Sequence, residues 1–205
     1  MTQIKKNRRG ATLIELTMVM LVIGIIAAIA AGSIIFFAQL FMYSPRQLDT
    51  QKLTQELSNI MLEGNQDARG IRFTRIVVDA TAAQFTYTYG YPATSDQLSV
   101  RFRWDSTNKL IYRSTLIPGG AWSAETVVPA FLTTKSGIII DGKDSPGVIF
   151  TYKKANDAAW VSGTDALNLI RRVIISLNIK TGSGAFASFQ GSFNFTASAE
   201  IKGFS

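Results

Sequence analysis

The sequence predicts an α+β protein in which one long N-terminal helix packs on an antiparallel β-sheet domain. Three observations predict it. Residues 10–31, GATLIELTMVMLVIGIIAAIAA, are apolar apart from Glu15, and no further charge occurs before Arg46. Leu48, Leu53, Leu57, Ile60 and Met61 then recur at mostly helical spacing. Beyond about residue 71 the period changes to two, the mark of half-buried strands.

The N-terminus comes first. Residues 1–10 hold Lys5, Lys6, Arg8 and Arg9 and no acid. Basic residues on one side of an apolar run orient it with that side in the cytoplasm. Residues 11–43 read as one helix of roughly 50 Å, longer than the ~30 Å hydrocarbon core of a bilayer. Its far end, Phe36 to Tyr43, is aromatic and suits the membrane interface. Gly24, Gly32 and the alanines at 27, 28, 30 and 31 form a strip of small residues, which lets membrane helices approach closely. Glu15 breaks the apolar pattern. A carboxylate at mid-membrane costs ~3 kcal/mol and less near a helix end, so a retained one signals function.

An ordinary secretory signal is cut after its apolar segment. Here the basic leader runs straight into Gly10, then Ala11-Thr12-Leu13-Ile14-Glu15, then the apolar run. This resembles the type IV prepilin signal shared by type IV pilins and the pseudopilins of type II secretion. The resemblance implies a pilin-like fold. It implies cleavage between Gly10 and Ala11 by a prepilin peptidase, on the cytoplasmic side, and N-methylation of Ala11 by the same enzyme. It makes Glu15 the fifth mature residue, where the family keeps a glutamate that pairs with a neighbour's methylated amino terminus and sets register in a fibre. The partners it implies are that peptidase/N-methyltransferase, other pilin or pseudopilin subunits, an inner-membrane assembly platform and the membrane itself. Two positions depart from the common pattern: Ala11 stands where Phe is usual, and Gly32 where many major pilins have Pro.

Ser44-Pro45 reads as a helix restart, with Ser as cap and Pro as first helical residue. An amphipathic helix follows over about 45–63, continuous or nearly so with the first, and Gly64 or Gly70 ends it. The expected organisation is a leader at 1–10, a membrane and assembly helix at 11–43, an amphipathic half and linker at 44–70, and a β-rich periplasmic or extracellular domain at 71–205.

Phe85, Tyr87, Tyr89 and Tyr91 alternate with polar or small residues, as do Leu98, Val100, Phe102 and Trp104. Asp105-Ser106-Thr107-Asn108 reads as a hairpin turn into Leu110–Arg113. Further strands are expected at 75–78, 137–140, 148–152, 173–180 and 192–201, with a loop at Thr181–Gly184. Segments 114–136 and 153–168 read as irregular. The aromatic stripe at 85–91 reads as one sheet face packed on the helix rather than a stacking platform for bases or sugars. Arg101 and Arg103 share the opposite face and read as solvated. The loop 141–147, DGKDSPG, offers oxygens to a hard cation, but Lys143 lies between its acids and no metal site is assigned.

Composition narrows the function. There is no His and no Cys. That excludes Ser-His-Asp and Cys-His catalysis, His or Cys zinc sites and any disulfide framework. No P-loop or dinucleotide fingerprint is present, so no cofactor is expected. The net charge is +7, but without the four leader cations 17 basic face 14 acidic side chains, too mild a surplus to expect nucleic acid. The order of short phrases at 100–113, 147–152 and 170–177 resembles the J-type minor pseudopilins of type II secretion and the related W-type minor pilins. The reading is a non-enzymatic minor subunit of a type II secretion pseudopilus, at or near its tip. The alternatives are a minor type IV pilin for adhesion, motility or DNA uptake, and a membrane-anchored binding protein or enzyme.

Overall fold

The computed structural model describes residues 9–90, 97–130, 132, 137–181 and 191–201. Helix α1 spans Arg9–Leu62, 54 residues without a break. The chain divides into two compact units, Met1–Ser44 and Pro45–Ser205. The expected restart at Ser44-Pro45 does not occur, because α1 runs through it. Proline removes one donor and displaces one carbonyl, which interrupts the ladder without forcing the chain out of helical geometry.

In the second unit α1 buries Thr50, Leu53, Thr54, Leu57 and Met61, with Ile60 beside them. These positions fall three and four apart, so they share one face. Leu48 was expected on that face but is 54% exposed. It lies five residues before Leu53, about 140° away around the helix. The helix ends at the first expected glycine: the N–H groups of Glu63 and Gly64 both donate to Asn59 O, at 2.8 and 3.1 Å, and Gly64 has φ +93°. A Cβ there would sit 2.2 Å from Ala68 O, so the position requires glycine.

The first sheet has five antiparallel strands in sequence order: β1 Ile76–Ala80, β2 Gln84–Tyr89, β3 Leu98–Asp105, β4 Leu110–Leu116 and β5 Thr126–Val128. Register pairs Phe85 with Phe102, Tyr87 with Val100 and Trp104 with Ile111, so one face is a continuous apolar surface. The β3–β4 turn forms where Asp105 was expected to make it: its Oδ1 accepts the N–H of Thr107 at 2.7 Å and of Asn108 at 3.1 Å. Strand β5 lies inside the segment read as irregular. Three residues followed by Pro129 carry too little alternation to reveal a strand. Tyr91, the last of the expected aromatic stripe, lies outside the described residues, as does most of the expected loop at Thr181–Gly184.

The second sheet contains β6 Ile138–Gly142, β7 Phe150–Lys153, β8 Arg172–Thr181 and β9 Gly191–Glu200. Strand β8 is central. Strand β9 pairs with its whole length on one edge, while β6 and β7 pair end to end along the other. The inward residues Val173, Ile175, Leu177 and Ile179 are fully buried. Hydrogen bonds stitch the two sheets together. Ile140 N–H donates to Lys109 O (2.8 Å), Trp104 Nε1 to Ile140 O (2.7 Å), and Tyr152 OH to Thr81 O (2.7 Å). Phe85 fills the seam between them, with ring centroids 5.4 Å from Tyr87, 6.0 Å from Phe150 and 5.7 Å from Tyr152. The architecture is the expected α+β, pilin-like one: a long apolar helix followed by antiparallel sheets.

Candidate functional site

The candidate site is the N-terminal half of α1. Between Leu13 and Ala38 it is long and apolar enough to cross a membrane, 26 residues or about 39 Å. Every side chain in that stretch is exposed. Its two hydroxyls next to apolar neighbours are satisfied within the helix. Thr17 Oγ1 donates to Ile14 O and Ser33 Oγ to Ile29 O, each at 2.9 Å. In hydrocarbon such groups have no water to turn to, so back-bonding keeps them compatible with lipid. Nothing lies within 4 Å of a Cβ built on Gly24 or Gly32, which leaves both positions open to a neighbouring helix.

Glu15 stands third in this stretch, exposed and within one turn of its start. Gly10 and Ala11 lie in the first turn of α1, and Ala11 precedes Glu15 by four residues. Arg9 opens the helix; Lys5, Lys6 and Arg8 lie outside the described residues. So Arg9, two small residues and one acid follow one another along the start of an apolar helix.

Residues 5–31 match the family model of the prokaryotic N-terminal methylation motif. The motif supports a type IV pilin-like or pseudopilin-like protein. It implies processing by a prepilin peptidase and assembly with pilin-type subunits in general, and it suggests a structural rather than an enzymatic role. With the apolar helix beside it, it points to single-pass membrane anchoring of the pilin kind. Comparison with curated proteins and with solved structures finds no match to the chain.

Outside the methylation motif, the β domain's other candidate residues serve the fold. Phe85, Tyr87 and Tyr89 are buried, so they present no stacking surface. Burial pushes the Tyr87 hydroxyl well above its usual range, and it donates to Arg69 O at 2.8 Å. Arg101 and Arg103 are half-buried and paired rather than freely solvated as expected. Arg103 grips Glu125 through two nitrogens, Nε to Oε1 at 3.0 Å, and stacks 5.3 Å from the Tyr112 ring. Arg101 stacks 4.6 Å from the Trp122 ring and donates to Ser114 Oγ at 3.1 Å. The hydrogen bond from Arg103 holds the Glu125 carboxyl below its ordinary range. Glu125 and Trp122 arrive from the segment read as irregular, which is why the pairing was invisible locally.

In the loop 141–147, Asp141 Oδ1 accepts the N–H of Gly142 (2.8 Å) and of Gly147 (2.7 Å). Its Oδ2 lies 3.7 Å from Lys109 Nζ. The carboxylate therefore ties its own loop, and among the described residues no three acids converge as metal ligands would. One cluster escaped the sequence reading. Arg113 is buried and donates from Nη1 to Asn65 Oδ1 (2.6 Å) and from Nη2 to Asp67 Oδ2 (3.1 Å). Asn65 Oδ1 also accepts the N–H of Asp67 and of Ala68. The Asn-x-Asp spacing just after the helix-ending glycine was the available signal for a turn there.

Proposed function

We propose that this chain is a minor pseudopilin, a structural subunit assembled into a type II secretion pseudopilus at or near its tip. In this reading residues 1–10 are a leader held in the cytoplasm by Lys5, Lys6, Arg8 and Arg9. The peptidase cuts between Gly10 and Ala11 and methylates Ala11. Residues 11–43 anchor the mature subunit and then pack in the fibre. Residues 44–70 connect that helix to a domain at 71–205 on the far side of the membrane, which supplies subunit-specific contacts. Glu15 pairs with the methylated amino group of a neighbour.

The observation that carries the reading is the methylation motif at residues 5–31 on a helix with a single acid near its mouth. The physical logic is that a carboxylate drawn into an apolar bundle is stable only against an opposite charge. The order of strand phrases in the β domain, which resembles J-type minor pseudopilins and W-type minor pilins alike, supports a minor subunit.

The test is incorporation into assemblies sheared from cells that carry a secretion system of this kind. Glu15→Ala is expected to be processed and membrane-inserted but to fall out of the assemblies by roughly tenfold or more, the loss of about one charged pair. Incorporation equal to wild type would reject the assembly role and leave α1 as a plain anchor.

A further inference from the structure

Strand β7 lies on an edge of the second sheet, and its bonds separate inner from outer backbone groups. Ile149 O accepts the N–H of Ser176 at 2.9 Å, and Lys153 O accepts that of Arg171 at 2.8 Å, so the odd-numbered residues face β8. Backbone groups alternate along a strand, so Phe150 and Tyr152 face outward. Each has one outward group bonded. Phe150 N–H donates to Ala82 O at 2.9 Å, and Tyr152 O accepts the N–H of Trp160 at 3.0 Å. The two groups between them, Phe150 C=O and Tyr152 N–H, have no hydrogen-bond partner among the described residues.

A cavity of about 260 Å³ opens on this edge, lined by Thr81 and Ala82, by β7 and by Trp160. Among the described residues no charged side chain lines it. Trp160 is half-buried. Its ring stands edge-on to Tyr152, with centroids 5.5 Å apart at 81°, and its Nε1 donates to Ala166 O at 3.0 Å. The indole is therefore held in place before any ligand arrives, which lowers the cost of binding. Thr151 and Ser162, both exposed, add hydroxyls to the lining.

We propose that this cavity binds a neutral sugar carrying an acetamido group, an N-acetylhexosamine. A C=O and an N–H two residues apart on one strand edge are matched by a single amide, which donates to the first and accepts from the second. The bonds to Ala82 and Trp160 close the edge on both sides, so a through-running strand cannot pair there and the amide has to come on a compact group. The indole suits the C–H face of a sugar ring, because an aromatic face carries partial negative charge. The two hydroxyls suit those of the sugar. Walls without charge favour a neutral ligand over an anion or an amine. The volume lies below the ~300–1,000 Å³ of drug-sized sites, which suits one ring. This site does not depend on the assembly reading above.

The test is saturation-transfer NMR on the full chain in a detergent without a sugar headgroup. N-acetylglucosamine is expected to bind, and glucose, which lacks the acetamido group, to bind about tenfold more weakly. Trp160→Ala is expected to weaken N-acetylglucosamine binding about tenfold. Thr151→Val and Ser162→Ala lie at exposed positions and are expected to keep the thermal midpoint while each weakens binding about threefold. Equal binding of glucose would overturn the assignment of the unpaired C=O and N–H to an acetamido group. Tighter binding of N-acetylalanine methylamide would assign the cavity to a peptide and overturn the sugar. No transfer to N-acetylglucosamine, or transfer that none of the three substitutions changes, would overturn the site.

Discussion

Arg113 shows how one buried charge organises this domain. Its guanidinium faces inward from β4, on the same sheet face as Phe102 and Ile111, and two nitrogens hold the turn that follows α1. Removing it takes this clamp off the turn, while Asn65 Oδ1 keeps the N–H of Asp67 and of Ala68. Arg113→Met is expected to cost about 2–3 kcal/mol, since hydrogen bonds involving a charged group are worth ~1.5–3. Arg113→Lys should recover only part of this, because an ammonium cannot fork to two acceptors. Urea unfolding of the detergent-solubilised protein measures both; equal stability of all three proteins would contradict the role. At this scale the sequence was least informative. Glu15, Gly10 and Ala11 stood out because their motif is local, whereas Arg113 meets residues 46 and 48 positions away, and nothing in its own strand marks it as different from the paired surface Arg103.

Whole elements were easier to read, for a physical reason. Period-two alternation over six to ten residues located β2, β3, β8 and β9, because apolar side chains alternate with polar ones along each; in β2 the polar Thr86 and Thr88 are buried as well. β5 escaped because three residues hold no period. The helix was legible in type and largely in phase: Leu53, Leu57, Ile60 and Met61 lie on the buried stripe, and Leu48 alone of the expected five does not. The phase is testable. Leu57 is fully buried, and Leu57→Ala is expected to cost about 2–5 kcal/mol through lost contacts and the cavity left behind. Leu48→Ala, at an exposed site, should stay within about 0.5 kcal/mol. Comparable losses in urea unfolding would show that the buried stripe has been misplaced. Gly64→Ala should end the helix badly, with its Cβ driven onto the Ala68 carbonyl, and is expected to lower the unfolding midpoint measured in the same way.

At the scale of the molecule, charge and anchoring are joined to assembly. Three carboxylates outside the apolar helix are held below their ordinary range. The N–H of Asn108 does this for Asp105, the Arg103 guanidinium for Glu125, and the N–H of Val161 for Asp165. A lowered folded pKa gives stability that is full above the usual carboxylate value and disappears as pH falls through the folded one. The thermal midpoint should therefore be level from neutral pH to about 5 and drop between about pH 4 and 2. Asp105→Asn should make that drop shallower, and a midpoint that rises on acidification would contradict the assignment. The central claim is that the long apolar helix is kept and prepared for packing, rather than removed or used as a simple tether. The most direct measurement is the intact mass and N-terminal sequence of the protein from cells with and without a prepilin peptidase. The account predicts a chain that begins at methylated Ala11 when the enzyme is present and at the uncut leader when it is absent. An uncut N-terminus in both strains would contradict it.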